Sequence, residues 1–286
     1  MRRANGGPLF GRLRRVVRVV LYHVALVFAM ATAGCARPAV TDKAMALTRT
    51  GQAAAAAALL TRALAENPDD VAARRLLVRV EATRGNLAAA RAEVDELRRR
   101  LGPEDPTPYL ELGHALELAH HFDEALAAYD EAARVAPASP VGPREAGLRA
   151  ARWGEAEVAI ERLDEAVRRG ATDAETLHAL GVARLHTRDV DGAERAYRAA
   201  LARDPDAVDS IVGLATVALV RDDYAAALAA YDMLRARRPS SPVAELGRAY
   251  ALAKLGRRGE ASQAIDRAEA LGGPPANVAR LRALVR

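Results

Sequence analysis

The residues of this sequence best suited to chemistry are one thiol and six imidazoles. Cys35, within ATAGCARPAV, is the only cysteine, so no disulfide can form inside the chain and the thiol is available as a nucleophile. Apart from His23, the histidines are His114, His120, His121, His178 and His186, and imidazoles brought together could ligate a metal. No second cysteine, no HExxH and no carboxylate pattern completes such a site, so groove or turn histidines are expected instead. Nor is there a GxSxG, a phosphate-binding glycine loop or a nucleophile with a partner base. The adjacent acids Asp69-Asp70 and Asp222-Asp223 read as helix starts, and Trp153, just before Gly154, as a packing residue. The sequence therefore predicts no catalytic residues, no metal site and no cofactor.

The chemistry of Cys35 depends on what precedes it. Arg2, Arg3, Arg12, Arg14, Arg15 and Arg18 open the chain, and an apolar run from Val19 to Gly34 follows without a single acid. A positive start, a short apolar stretch and a small-residue exit form the pattern of a secretory signal peptide. The run is 16 residues long and includes His23. Spanning a bilayer takes roughly 20 apolar residues, which favours a cleaved signal over a transmembrane anchor. Thr32-Ala33-Gly34-Cys35 resembles the lipobox of bacterial lipoproteins, in which the cysteine is lipidated and becomes the first residue of the mature chain. The resemblance implies a signal peptide over residues 1–34, a lipidated N-terminus at 35–36 and membrane attachment through acyl chains on Cys35. Ala36 follows the cysteine; in that family the absence of Asp there implies the outer membrane, facing the periplasm, in a cell with two membranes.

The formal charge of +5 would suggest nucleic acid or an acidic surface as partner. Six of the 42 basic residues are leader arginines, however, which leaves 36 against 37 acidic residues, a balance of −1. Phosphate binding needs a positive field that the exported part lacks, so no nucleic-acid partner is expected.

The rest of the chain is organised by repetition. Ala56, Ala90, Ala125, Ala159, Ala193, Ala227 and Ala261 recur at intervals of 34 or 35 residues. Four residues after them come Leu60, Val94, Tyr129, Leu163, Tyr197, Tyr231 and Ile265. Twelve residues before them stand Ala44, Val78, Gly113, Gly147, Gly181, Ala215 and Ala249, small in all but one case. Each unit reads as two amphipathic helices, with small residues where the helices approach, Tyr129 or Leu163 filling between units, and Pro137 or Pro205 ending the second helix. Thr172-Asp173-Ala174-Glu175 reads as a capping box opening the fifth unit, and no segment alternates as a strand does.

A unit of this kind resembles the tetratricopeptide repeat (TPR), most clearly in PTPYLELGHALELAHHFDEALAAYDEAARVAP and AETLHALGVARLHTRDVDGAERAYRAALARDP. The resemblance implies an all-α fold, a right-handed α-solenoid of about seven helix-turn-helix units over 37–70, 71–104, 106–139, 140–173, 174–207, 208–241 and 242–275. Little length is left for a separate catalytic domain. The first unit departs from the pattern, because its first helix lacks the family's aromatic and its Leu-Gly pair, and Ala53 to Ala58 bury little area. It is expected to fray or to serve as an N-terminal cap. At the other end, ANVARLRALVR places Val278, Leu281 and either Leu284 or Val285 on one helical face, so residues 276–286 are expected to cap the last repeat.

In the TPR family, partners lie on the concave face lined by the first helix of each unit. Its groove positions fall here on Arg75, Arg79, His114, Arg144, Arg152, His178, His186, Val212, Thr216, Leu246 and Tyr250. Arginines early and apolar residues late suit an amphipathic helix or an extended peptide with an acidic end. The competing expectation is that the arginines are solvated and the apolar positions are covered by neighbouring helices. The lysine and asparagine constellation with which some members clamp a C-terminal carboxylate is missing from these positions.

These features predict a non-catalytic protein-interaction scaffold on a bacterial envelope membrane, similar to the lipoproteins that assist assembly of pili and secretin pores. The alternatives are a scaffold for cell-wall or outer-membrane biogenesis enzymes and a regulatory domain that senses a small ligand in the groove.

Overall fold

The structure, a computed structural model, describes residues 39–286. The expectations for residues 1–36, the signal peptide and Cys35 among them, lie outside the described residues. Among the described residues fifteen α-helices follow one another. The first four units comprise α1 (Val40–Arg49) with α2 (Ala53–Glu66), α3 (Val71–Thr83) with α4 (Leu87–Leu101), α5 (Thr107–Leu118) with α6 (Phe122–Val135), and α7 (Val141–Trp153) with α8 (Ala156–Arg168). The next three comprise α9 (Ala174–His186) with α10 (Val190–Arg203), α11 (Val208–Val220) with α12 (Tyr224–Arg237), and α13 (Pro242–Lys254) with α14 (Arg258–Ala270). A last helix, α15 (Pro275–Val285), follows alone.

Helices adjacent in the chain pack on one another, and at most junctions an odd-numbered helix also touches the next odd-numbered one. The even-numbered helices make no comparable contact. Closer spacing of the odd helices puts them on the inner, concave side of an α-solenoid. The first helix of every unit therefore lines a single continuous face.

The repeating columns explain this packing. Tyr129 and Tyr197 are among the largest fully buried side chains. A Cβ added at Gly113 would lie 2.4 Å from the Tyr129 ring, and one at Gly181 2.6 Å from the Tyr197 ring. Gly213, one unit later, would bring a Cβ within 2.5 Å of the same Tyr197 ring. The ring of Tyr197 is thus wedged between glycines of two successive odd helices, where any side chain would push the helices apart. Leu163 fills the equivalent place against Gly147.

Helix starts are fixed by short acids and amides. Asp70, Asn86, Asp173, Asp189 and Asp223 each accept a backbone N–H three residues on, which satisfies an otherwise orphaned donor. The cap of α9 is Asp173 and not Thr172, one residue later than the capping-box reading. Asp173 prevails because its carboxylate binds the backbone N–H and the hydroxyl of Thr176 together, while Glu175 turns outward to Arg144.

The first unit forms both its helices, and the alanine run contributes Ala56 and Ala57 to a small buried cluster with Leu60, Leu64 and Leu77. At the other end, Val278 and Leu281 of α15 are buried on the core of the last unit and Val285 packs beside them. Leu284 points elsewhere and stays 46% exposed, so Val285 is the residue that completes the buried face. Among the described residues no helix is long and apolar enough to cross a membrane.

Candidate functional site

The concave face divides into an ion-paired half and an apolar half. In the first, Glu111 of α5 is 0% exposed and takes two guanidinium groups from α3: Arg75 Nε at 2.8 Å, and Arg79 through Nε at 2.7 Å and Nη2 at 2.8 Å. Burial pushes the Glu111 carboxyl up, and contacts with His114, Arg79 and Arg75 more than offset it, bringing the carboxyl down to about 2. The His114 Nδ1 stands 4.0 Å from Glu111, beyond hydrogen-bond length, so the arginines are the bonded partners. For His114 itself, burial opposes the charged ring, but Glu111 and Glu145 outweigh it and raise its pKa above the ordinary imidazole value. The Glu145 carboxylate lies 3.6 Å from His114 Nε2.

The network continues into the fourth unit. Arg149 donates to Glu117 at 2.8 Å and lies 3.0 Å from Glu145. Arg144 reaches forward to Thr176 at 2.9 Å, to Glu175 at 2.6 Å and to Asp173 at 3.2 Å. Arg152 is the loosest member: its side chain is 66% exposed and approaches Glu117 only to 3.7 Å. Beside it, Trp153 packs on Phe122 with ring centroids 4.7 Å apart, consistent with its reading as a packing residue, and His120 meets Phe122 edge-on. These aromatics and Arg79, His114, Arg149 and Arg152 surround a cleft of about 680 Å³.

Farther along, charge fades. His178 is half-buried, its Nδ1 is 3.1 Å from the Ser210 hydroxyl, and burial lowers its pKa. His186 is exposed at the end of α9. Val212 packs against the C-terminal core, and the Thr216 hydroxyl donates to the Val212 carbonyl within α11. Leu246 and Tyr250 line a second cleft, about 770 Å³, between α13 and α15. Its floor is the ring of Tyr231, reached because Gly247 has no side chain: a Cβ there would lie 2.3 Å from that ring. Leu219, Val243, Leu281 and Leu284 complete the apolar lining, and Asn277 and Arg280 supply its polar edge.

Glu111 is the residue that sequence reasoning passed over, although a signal for it exists. Arg79 and Glu111, Glu117 and Arg149, Asp130 and Arg162, Arg144 and Thr176, and His178 and Ser210 are all 32 residues apart. These five polar contacts between units thus share a spacing of the repeat length less about half a helical turn, while others, such as Arg75 to Glu111 and Arg144 to Asp173, fall to either side of it. No three His, Cys, Asp or Glu side chains among the described residues converge as metal ligands would.

The family model of the tetratricopeptide repeat matches residues 41–106, 144–208, 178–242 and 212–276. Residues 107–143 fall between matches, yet α5 and α6 pack through the same tyrosine-on-glycine contact as α9 and α10. No curated protein matches the sequence. Among solved structures, the chain is similar to YrrB, a TPR protein with an unusual peptide-binding site, with a TM-score of 0.60 and 16% identity over 66% of this chain and 97% of that one. It is also similar to the C-terminal part of a TPR repeat-containing protein from Cytophaga hutchinsonii, with a TM-score of 0.64 and 15% identity over 83% of this chain and 98% of the other. MamA has a TM-score of 0.56 and 24% identity over 58% of this chain and 91% of its own. At these identities the shared property is the fold. Because the repeat model matches more than half of its length and its helices pair in the repeat's manner, the chain belongs to the tetratricopeptide repeat family, a fold of protein-interaction modules.

Proposed function

We propose that this chain is a non-catalytic protein-interaction scaffold, held on a bacterial envelope membrane by lipid on Cys35, whose concave groove receives a peptide or an amphipathic helix of a protein partner. The observation that carries the groove reading is the cleft at its C-terminal end, where Val243 is 53% exposed and Leu284 46% exposed beside Leu246 and Tyr250. Apolar side chains gathered in a concavity lose water when a partner enters, and that loss drives association. The solved likeness to a peptide-binding TPR protein supports the same reading at the level of fold.

Membrane attachment rests on ATAGCA, with small residues before Cys35 and Ala36 after it, which suits lipidation and an outer-membrane address facing the periplasm. A scaffold so placed would assist assembly of a pilus or secretion pore, a step that rests on analogy. The test is crosslinking of the full-length protein in living cells, followed by mass spectrometry of what it captures and of its own N-terminus. Recovery of a pore or pilus subunit with a lipidated Cys35 supports the proposal. Recovery of cell-wall enzymes instead refutes the assembly role, and an unlipidated Cys35 refutes the anchor.

A further inference from the structure

The positive charges of the concave face are not equally available. Arg75 and Arg79 are committed to Glu111, Arg149 to Glu117 and Glu145, and Arg144 to Glu145, Asp173 and Glu175. An arginine already paired with one or more carboxylates has less charge left to offer an acidic ligand, most of all where the carboxylate is buried, as Glu111 is. At the C-terminal end the situation reverses. Arg280, on the edge of the α13–α15 cleft, donates only to the amide of Asn277. Lys254 lies over the rings of Tyr224 and Tyr250, 5.2 Å and 6.0 Å from their centroids, and makes no ion pair with a carboxylate among the described residues. The walls offer no competing acid: α15 has none, and Glu245 of α13 is buried against Arg248 and Arg267. Free cations and exposed apolar side chains therefore share one end of the face, opposite to the arrangement that the arginine positions alone suggest.

We infer that the cleft between α13 and α15 takes a partner segment whose apolar side chains are flanked by Asp or Glu, such as one face of an amphipathic helix. This rests on the groove reading above and narrows it to one end and one ligand chemistry. Apolar anchors spaced one helical turn apart fill the pocket over Tyr231, and the flanking carboxylates meet Lys254 and Arg280. Opposite charges at the rim set orientation and choice of partner, while the buried apolar contacts hold it.

The test uses the full-length chain in nanodiscs of zwitterionic lipid, with fluorescein-labelled helical peptides of Leu/Glu, Leu/Lys and Ser/Glu composition, read by anisotropy against empty discs. The expected result is binding of the Leu/Glu peptide, with the Leu/Lys and Ser/Glu peptides each weaker by about tenfold or more. Lys254→Glu with Arg280→Glu, both exposed positions, should reverse the order of the Leu/Glu and Leu/Lys peptides. Arg152→Glu should leave the Leu/Glu affinity within about twofold, since that residue lies in the other cleft. If Arg152→Glu weakens the Leu/Glu peptide and the Lys254/Arg280 pair does not, the cleft assignment falls while the groove reading survives. Equal binding of Ser/Glu and Leu/Glu also overturns it, because charge alone would then suffice. If none of the peptides binds above empty discs, both readings fail.

Discussion

Glu111→Gln isolates the buried charge at the centre of the ion-paired half. Glutamine keeps the volume and one carbonyl acceptor, so the change removes the negative charge and little else. A carboxyl lowered from 4.5 to about 2 represents about 3 kcal/mol of preference for the ionised form, at about 1.4 kcal/mol per unit. Removing one partner of a buried ion pair typically costs about 3–5 kcal/mol. Arg75 and Arg79 are each nearly half exposed and can turn to water, which pulls the cost to the low end. For a chain of this size, about 3 kcal/mol corresponds to a melting-temperature loss of about 6–12 °C at pH 7. The folded carboxyl lies below its ordinary value, so its contribution is full above pH 4.5 and disappears as the pH falls through about 2. The gap between the parent and the variant should therefore narrow as acid is added below pH 4.5. The assay is circular dichroism melting of both proteins from pH 7 down to pH 3. A gap under about 2 °C at pH 7, or one that does not narrow in acid, would refute the assignment of Glu111 as the charge that holds Arg75 and Arg79.

Three further outcomes follow from the packing and the charges. His114 has a raised pKa in the fold, so its contribution is complete below the unfolded value near 6.5 and is lost as the pH rises through the folded value; the parent should lose stability relative to His114→Gln between pH 6 and pH 8 in the same melts. Gly247→Ala should cost about 1–3 kcal/mol by driving a methyl into the Tyr231 ring, whereas Gly259→Ala, with no atom within 4 Å of the new Cβ, should gain about 0.5–1 kcal/mol; urea titration separates the two signs. Truncation after Pro275 removes Val278 and Leu281 from the last core and should lower both the melting temperature and the solubility, and an unchanged melting curve would refute the capping role of α15.

The parts of the fold legible in the sequence are those that repeat in every unit. Tyr129 against Gly113 and Tyr197 against Gly181 are one contact made twice, so their columns stand out at the repeat length. Caps and the final helix depend on which of two neighbouring residues wins: Asp173 takes the cap from Thr172 because it binds Thr176 twice, and Val285, not Leu284, faces the core. The electrostatics of the groove were not legible from single positions, because the acid that commits an arginine stands on the helix of another unit. The spacing of 32 residues that joins Arg79 to Glu111 and Glu117 to Arg149 supplies the missing rule. Applied to the C-terminal end, the same register sets Lys254 32 residues from Arg286, a second cation, and from Asp222, and Arg280 32 residues from Arg248, whose charge is already engaged by Asp232 and Glu245. Arg280 thus has no acid at its register position, and the acid at that of Lys254 accepts instead from the Tyr224 hydroxyl. The positive charge left beside the apolar cleft is thus a consequence of which residues occupy the register there, and the acidic partner proposed above would meet an arginine and a lysine that no carboxylate among the described residues pairs.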